Sequence, residues 1–236
     1  DDYREDKPKW QTVLDIDALA KSEKKNWIYK GADCLAPEEK LCLVSLSDGG
    51  KDAVVVREYD TAAKRFVSKG FRLPEGKHRI AWLNQDTLLV ATDFGEGSLT
   101  ESGYPFIVKT LVRGEELATA RTVYSGSAKD GGYGVDPYVL RDGAGKVLAV
   151  LVSRPLDTFR SETWEIVDGR PVKLALPERV TIRGALGGGS AAAPPRLVFT
   201  VEEAWAPNNI KKVGAGALMA VGMRLLRPPP PNVGLV

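Results

Sequence analysis

Few residues in this sequence have the types and spacing to do chemistry, and several of them share one stretch, DTLLVATDFGEGSLTESGYPFIVKTLVRG, residues 86–114. Its loop carries three carboxylates, Asp93, Glu96 and Glu101. A pair of carboxylates can hydrolyse a glycoside, one as acid and the other as base or nucleophile. That use needs burial to shift a carboxyl pKa, and acids scattered through a Gly- and Ser-rich loop read by default as solvated. Gly95-x-Gly97 lacks the third glycine and the following helix of a phosphate cradle. A calcium loop would need more acids at alternate positions. The single histidine, His78, stands at the edge of a short apolar run. A general base needs a positioned partner as well as a pKa near neutrality, so His78 reads as a strand-edge residue. No serine lies on a G-x-S-x-G elbow; GEGSL, SGSAK and GGGSA all miss the spacing.

Cys34 and Cys42 form a C-x7-C pair in a chain with one histidine, which is not a zinc site. They read as two buried thiols in neighbouring strands. The alternative is one disulfide across a hairpin, which needs an oxidising compartment. The sequence leaves both open. The compartment stays open in the sequence, the cytoplasm being favoured over the periplasm. No catalytic residue, metal or cofactor is expected.

The elements around these residues repeat. LCLVSLS (41–47), TLLVATD (87–93), VLAVLVS (147–153) and RLVFTVE (196–202) are β-branched, Leu-rich and too short for ordinary helices, with starts 46, 60 and 49 residues apart. Each has the profile of a buried strand. A shorter run precedes each: NWIYKG, RIAWLN, DPYVLRD and RVTIRGAL. Another follows: AVVVREYD, PFIVKTLVRG, ETWEIVDG and AGALMAVGM. KRFVSKG, RTVYSGS and PVKLALP supply a weaker fourth segment after three of them. The joints, such as Asp48-Gly49-Gly50 and Asp142-Gly143-Ala144-Gly145, carry the Gly, Asn and Asp that tight turns require. Only DIDALAKSEKK (15–25) reads as a brief helix or loop.

Four antiparallel strands recurring every 45–60 residues predict an all-β fold, a partial β-propeller of about four blades over residues 1–186. Residues 187–236 read as a low-complexity interruption (GGGSAAAPP), a partial blade and a proline-rich tail. Disorder is expected at 187–195 and 228–236. The loop at 93–105 becomes the connection between a second and a third strand. It is longer than its counterpart at 48–52, and such insertions often serve binding. Of Trp10, Trp27, Trp82, Trp164 and Trp205, four fall in or beside predicted strands, where core packing is the default.

Net charge is +2, with Lys and Arg dispersed, so no nucleic-acid footprint stands out. No apolar run approaches the roughly 18–20 residues that cross a bilayer. The sequence opens on Asp1 without a signal peptide, which reads as a processed chain or a fragment.

The segment KPKWQTVLDIDALAKSEKKNWIYKGADCLAPEEKLCLVSLSDGGKDAVVVREYDTAAKRFV, with its W-x-x-x-L-D-x-D-x-L lead, resembles the prolyl oligopeptidase family of serine peptidases. RIAWLNQDTLLVATDFGEGSLTESGYPFIVKTLVRG is similar to its bacterial members. The likeness covers roughly 7–186 and, more faintly, 196–221. It implies a propeller that gates short peptides to an α/β-hydrolase domain carrying Ser, Asp and His. Nothing here matches that domain, so the chain is expected to be inactive alone. The partners implied are that hydrolase domain and, in the full-length enzyme, a peptide substrate; no nucleic-acid or membrane partner is expected. A stand-alone propeller scaffold and a propeller glycosidase or lyase are the rival readings. Repeat arrays draw stability from neighbour interfaces, so the isolated chain is expected to self-associate or to be marginally stable.

Overall fold

The computed structural model describes residues 4, 6–130, 132–187, 194–206 and 212–228. They form four antiparallel sheets, each a meander of consecutive strands. Sheet 1 holds β1 (Trp27–Cys34), β2 (Leu41–Asp48), β3 (Val54–Asp60), β4 (Arg65–Phe66) and β5 (Arg72–Gly76). Sheet 2 holds β6 (Arg79–Asn84), β7 (Thr87–Ala91), β8 (Ile107–Val112) and β9 (Arg121–Ser125). Sheet 3 holds β10 (Asp136–Arg141), β11 (Val147–Pro155), β12 (Ser161–Val167) and β13 (Arg170–Lys173). Sheet 4 holds β14 (Val180–Leu186), β15 (Arg196–Val201) and β16 (Leu218–Gly222). The chain divides into two compact units, Asp1–Gly76 with sheet 1 and Lys77–Val236 with the other three.

The four repeats are therefore the four blades, with differences in strand count. In sheet 1 the fourth strand shrinks to two residues, and β5 also pairs with β3. After the turn at Lys64, φ +52°, only Arg65 and Phe66 pair in register with β3, and the Val67 N–H donates to the Glu58 carbonyl beyond them at 3.0 Å. Sheet 4 has three strands among the described residues. AGALMAVGM ends in a helical turn, α2 (Met223–Leu226), after helix α1 (Ile16–Glu23) near the start of the chain. The disorder expected at 187–195 and 228–236 falls mostly outside the described residues.

Local chemistry explains the elements. Asp15 caps α1, its carboxylate accepting from the Ala18 N–H at 2.8 Å, the usual work of an N-cap acid. Asp142 closes the β10–β11 hairpin by accepting from the Ala144 and Lys146 N–H groups at 3.0 and 2.9 Å. The second strands read as unbroken apolar runs because both of their faces are packed. On β11, Ala149 and Leu151 join Leu197, Phe199 and Met223 in one core. Val152 points the other way and joins Leu89, Val108 and Tyr124 in another, with Val150 packed beside it. In the first unit, Leu14, Ile16 and Leu19 pack on Val44, Leu46 and Tyr59, so the N-terminal segment and α1 cover one face of sheet 1.

Each pairing of a first with a second strand slips register once; the extra residue lies on the first strand in three sheets, at Lys30, Leu83 and Arg183, and on β11 in sheet 3, at Leu148. Such a bulge adds one residue and sharpens the strand's twist. Gly31 and Gly184 take φ of +133° and +151° there, values that side chains with a Cβ rarely adopt.

Cys34 and Cys42 face each other as the end pair of β1 and β2, with Cα atoms 4.0 Å apart, and are joined as a disulfide. Of the two arrangements open in the sequence, the structure holds the bridge rather than two thiols, because the strands place both side chains on one side of the sheet. Air-purified protein unfolded in guanidinium is therefore expected to show no thiol reactive to Ellman's reagent and, after reduction, two. Two thiols before reduction would contradict the pairing.

Candidate functional site

In a four-stranded meander, the second-to-third connections and the links between blades emerge at the same end. In the second unit this end gathers residues 92–106, 126–135 and 156–160, and they are fastened to one another. The Glu101 N–H donates to the Ala128 carbonyl at 3.2 Å, and the Val135 N–H to that of Pro105 at 2.9 Å. The Tyr133 hydroxyl lies 3.1 Å from that of Thr158. Gly134, at φ +68°, lies against Pro105, where an added Cβ would come within 2.8 Å of a backbone oxygen.

Beneath this deck sits a charge network. The Arg154 guanidinium, at the end of β11, grips the Asp130 carboxylate through Nε at 2.9 Å and Nη2 at 2.5 Å. Its Nη1 reaches Glu162 at 3.2 Å, and Lys173 meets the other oxygen of Glu162. The Asp130 and Glu162 side chains are only 6% and 13% exposed. Burial alone would raise the Glu162 carboxyl, but hydrogen bonds from Lys173 and Trp164 and the nearby Arg154 charge outweigh it and hold the group below its ordinary value. Asp130 holds the Arg154 proton more tightly than usual. Burial pushes the Tyr124 phenol, beside this network, up to about 12. A second clamp joins neighbouring sheets: Arg141, at the end of β10, donates to the Trp82 and Leu83 carbonyls of β6 at 2.8 and 3.0 Å.

The residues singled out in the sequence do not converge. Asp93 ties its own turn, accepting from the Gly95 N–H at 2.8 Å, with the Ser98 hydroxyl 3.1 Å away. Glu96 and Glu101 are exposed in the same loop. His78 Nδ1 lies 2.7 Å from the Thr92 hydroxyl. Thr92 is buried, so no substrate carbonyl can approach that oxygen, and the contact is structural. Trp82 is buried, Trp27, Trp164 and Trp205 each pack on a different core cluster, and Trp10 is exposed. No group of His, Cys, Asp and Glu able to hold a metal occurs among the described residues.

Two features were not read from the sequence. The network is one, since its members come from a loop and three strands. Asp136, at the head of β10, is the other. The residue is exposed, yet desolvation by the surrounding protein raises its carboxyl above the ordinary value, against the pull of Arg79. A raised acid favours its neutral form in the fold. It therefore costs nothing below the unfolded pKa near 4 and costs stability as pH rises through the raised value. Asp136→Asn is expected to raise the melting temperature at pH 7 by about 1–3 °C, a modest figure because water screens the group. At pH 3 the two proteins should melt together. Equal melting at both values would remove the effect.

Comparisons with known proteins agree with this architecture. The sequence profile of the prolyl oligopeptidase N-terminal β-propeller domain matches residues 1–177. The uncharacterized peptidase y4nA of Sinorhizobium fredii is 37% identical over 235 residues, 98% of this chain but 31% of that protein. The uncharacterized peptidase RP174 of Rickettsia prowazekii is 34% identical over 132 residues, 52% of this chain and 18% of that protein. Among solved structures, a post-proline cleaving enzyme from Rickettsia typhi superposes with a TM-score of 0.80 at 24% identity, over 95% of this chain and 33% of its own, a likeness of fold. The chain thus spans about a third of the length of y4nA and of the Rickettsia typhi enzyme. It belongs to the prolyl oligopeptidase family, as N-terminal β-propeller sequence.

Proposed function

We propose that this chain is the non-catalytic propeller segment of a longer serine peptidase, where it gates the access of short peptides to an α/β-hydrolase domain. The observation that carries this reading is the match of residues 1–177 to the family's propeller. The fastened connections at one end of sheets 2 and 3 support it. A barrier that sorts by size must not yield, and loops tied by backbone hydrogen bonds and by a half-buried guanidinium on a buried carboxylate do not splay. The insertion at 93–105 belongs to that end and, on this reading, faces the peptide chamber or the hydrolase domain.

The test is to label the native gene product with a fluorophosphonate probe for serine hydrolases. A labelled band roughly three times this chain's mass, as the 31% coverage of y4nA implies, is the expected result. An unlabelled product of 25.6 kDa would remove the peptidase reading and leave a binding scaffold.

A further inference from the structure

The turn between β11 and β12 is built to hold an aromatic ring in water. Phe159, at its tip, is 75% exposed. Nothing about the turn is loose. The Leu156 N–H donates to the Arg160 carbonyl at 2.9 Å. Asp157 Oδ1 accepts from the Phe159 and Arg160 N–H groups, each at 2.8 Å. The Arg160 guanidinium closes on Asp157 at 2.7 Å and on Glu178 at 3.1 Å. A slack loop would let the ring fold onto the sheet and escape water. Here the braces keep it out. Beside it stands Tyr133, half exposed, with its hydroxyl anchored on Thr158. Both rings and Pro155 line a pocket of about 270 Å³.

We propose that this pocket binds one bulky apolar side chain of an extended peptide, held between the Phe159 and Tyr133 rings. The proposal rests on the peptidase reading above and deepens it by naming a peptide-contacting site on the propeller itself. Three observations select the occupant. The volume lies just below the range of pockets for whole small ligands, which suits one side chain. The rim charges Asp157, Arg160 and Glu178 are spent on each other, so the pocket does not call for a charged group. The patch is far smaller than the roughly 1,000 Å² that a stable protein interface needs, which argues against a second copy. Rigid aromatic walls grip an apolar group at low entropic cost, and the grip of one side chain is weak enough to release a passing peptide.

The test uses the chain labelled with nitrogen-15, titrated with acetyl-Ala-Leu-Ala-amide and, separately, acetyl-Ala-Gly-Ala-amide. The leucine peptide is expected to shift the amides of 133 and 156–161 along a saturable, low-millimolar curve, and the glycine peptide to leave them in place. Phe159→Ser, at an exposed position, should keep the rest of the spectrum and weaken binding at least fivefold. Equal shifts with both peptides, no shifts at the pocket, or unchanged binding in Phe159→Ser would each overturn the proposal. Shifts at the same amides on raising protein concentration without peptide would assign the pocket to self-contact instead. None of these outcomes depends on the fluorophosphonate result. A labelled long product with a silent pocket would sink only this inference, and an unlabelled product would sink the reading above it, leaving any binding measured here as a peptide contact without a peptidase.

Discussion

Arg154→Ala is expected to cost about 3–5 kcal/mol of stability, the range for removing one partner of a buried ion pair. The cost comes from what is left behind rather than from the lost contact. Asp130 would keep only the Ser127 N–H, at 2.9 Å, among its charge-stabilising partners. Glu162 would keep Lys173 and Trp164, so the lower half of the range is the better expectation. In urea this is a fall of roughly 1 M or more in the midpoint at unchanged slope. Arg154→Lys should fall between the two, because an ammonium cannot grip Asp130 through two nitrogens and still reach Glu162. A midpoint within 0.2 M (about the scatter of such measurements) of the unaltered chain would show the network to be idle. Acid should act on the same network. The Glu162 carboxyl is held low, so its contribution is whole above the ordinary carboxyl pKa and is lost as pH falls through the lowered folded value.

Phe199→Ala is expected to cost about 3–5 kcal/mol by emptying the core between sheets 3 and 4. Phe199 has no exposed surface and meets the Trp205 ring edge to face, with centroids 5.6 Å apart. Its neighbours Leu151, Leu197 and Met223 come from different strands and from α2, so no single element can shift to fill the gap. Phe199→Leu should recover more than half of the loss, since it restores most of the volume. Trp205 reports the change directly: its emission should redden as water enters in the alanine variant. A loss of less than 1 kcal/mol would mean that this core is already loose.

The fold was legible wherever a strand is packed on both faces. VLAVLVS on β11 and LCLVSLS on β2 announce themselves because each alternate residue meets a different apolar neighbour. The turns were legible because Asp142 and Asn84 close them with their own side chains. Sheet edges were not. KRFVSKG reads like a strand, yet only two of its residues pair, and RLPEG pairs beyond it although its proline argues against a strand. The end of AGALMAVGM reads as strand and turns helical, because Met223 and Leu226 gain more by joining the sheet 3–sheet 4 core than by extending an edge. The site was the least legible part. Asp130, Arg154, Glu162 and Lys173 span 44 residues. What brings them together is the packing of a loop on three strands, and no local pattern encodes that. The acids that drew attention in the sequence, Asp93, Glu96 and Glu101, share a loop without sharing a task.

The slip in the first strands of sheets 1, 2 and 4 also sets how the blades can change over generations. Past Gly31 the zigzag of β1 is out of step with an unbroken strand, and that offset is what turns Cys34 toward Cys42. Loss of a single residue at the slip would reverse every side chain beyond it. A hairpin such as 142–145 can gain or lose residues with no such reversal. Sheets 1, 2 and 4 therefore tolerate length change at their rims while their first strands must keep the extra residue, and lineages of this domain should diverge in loop length long before they diverge there.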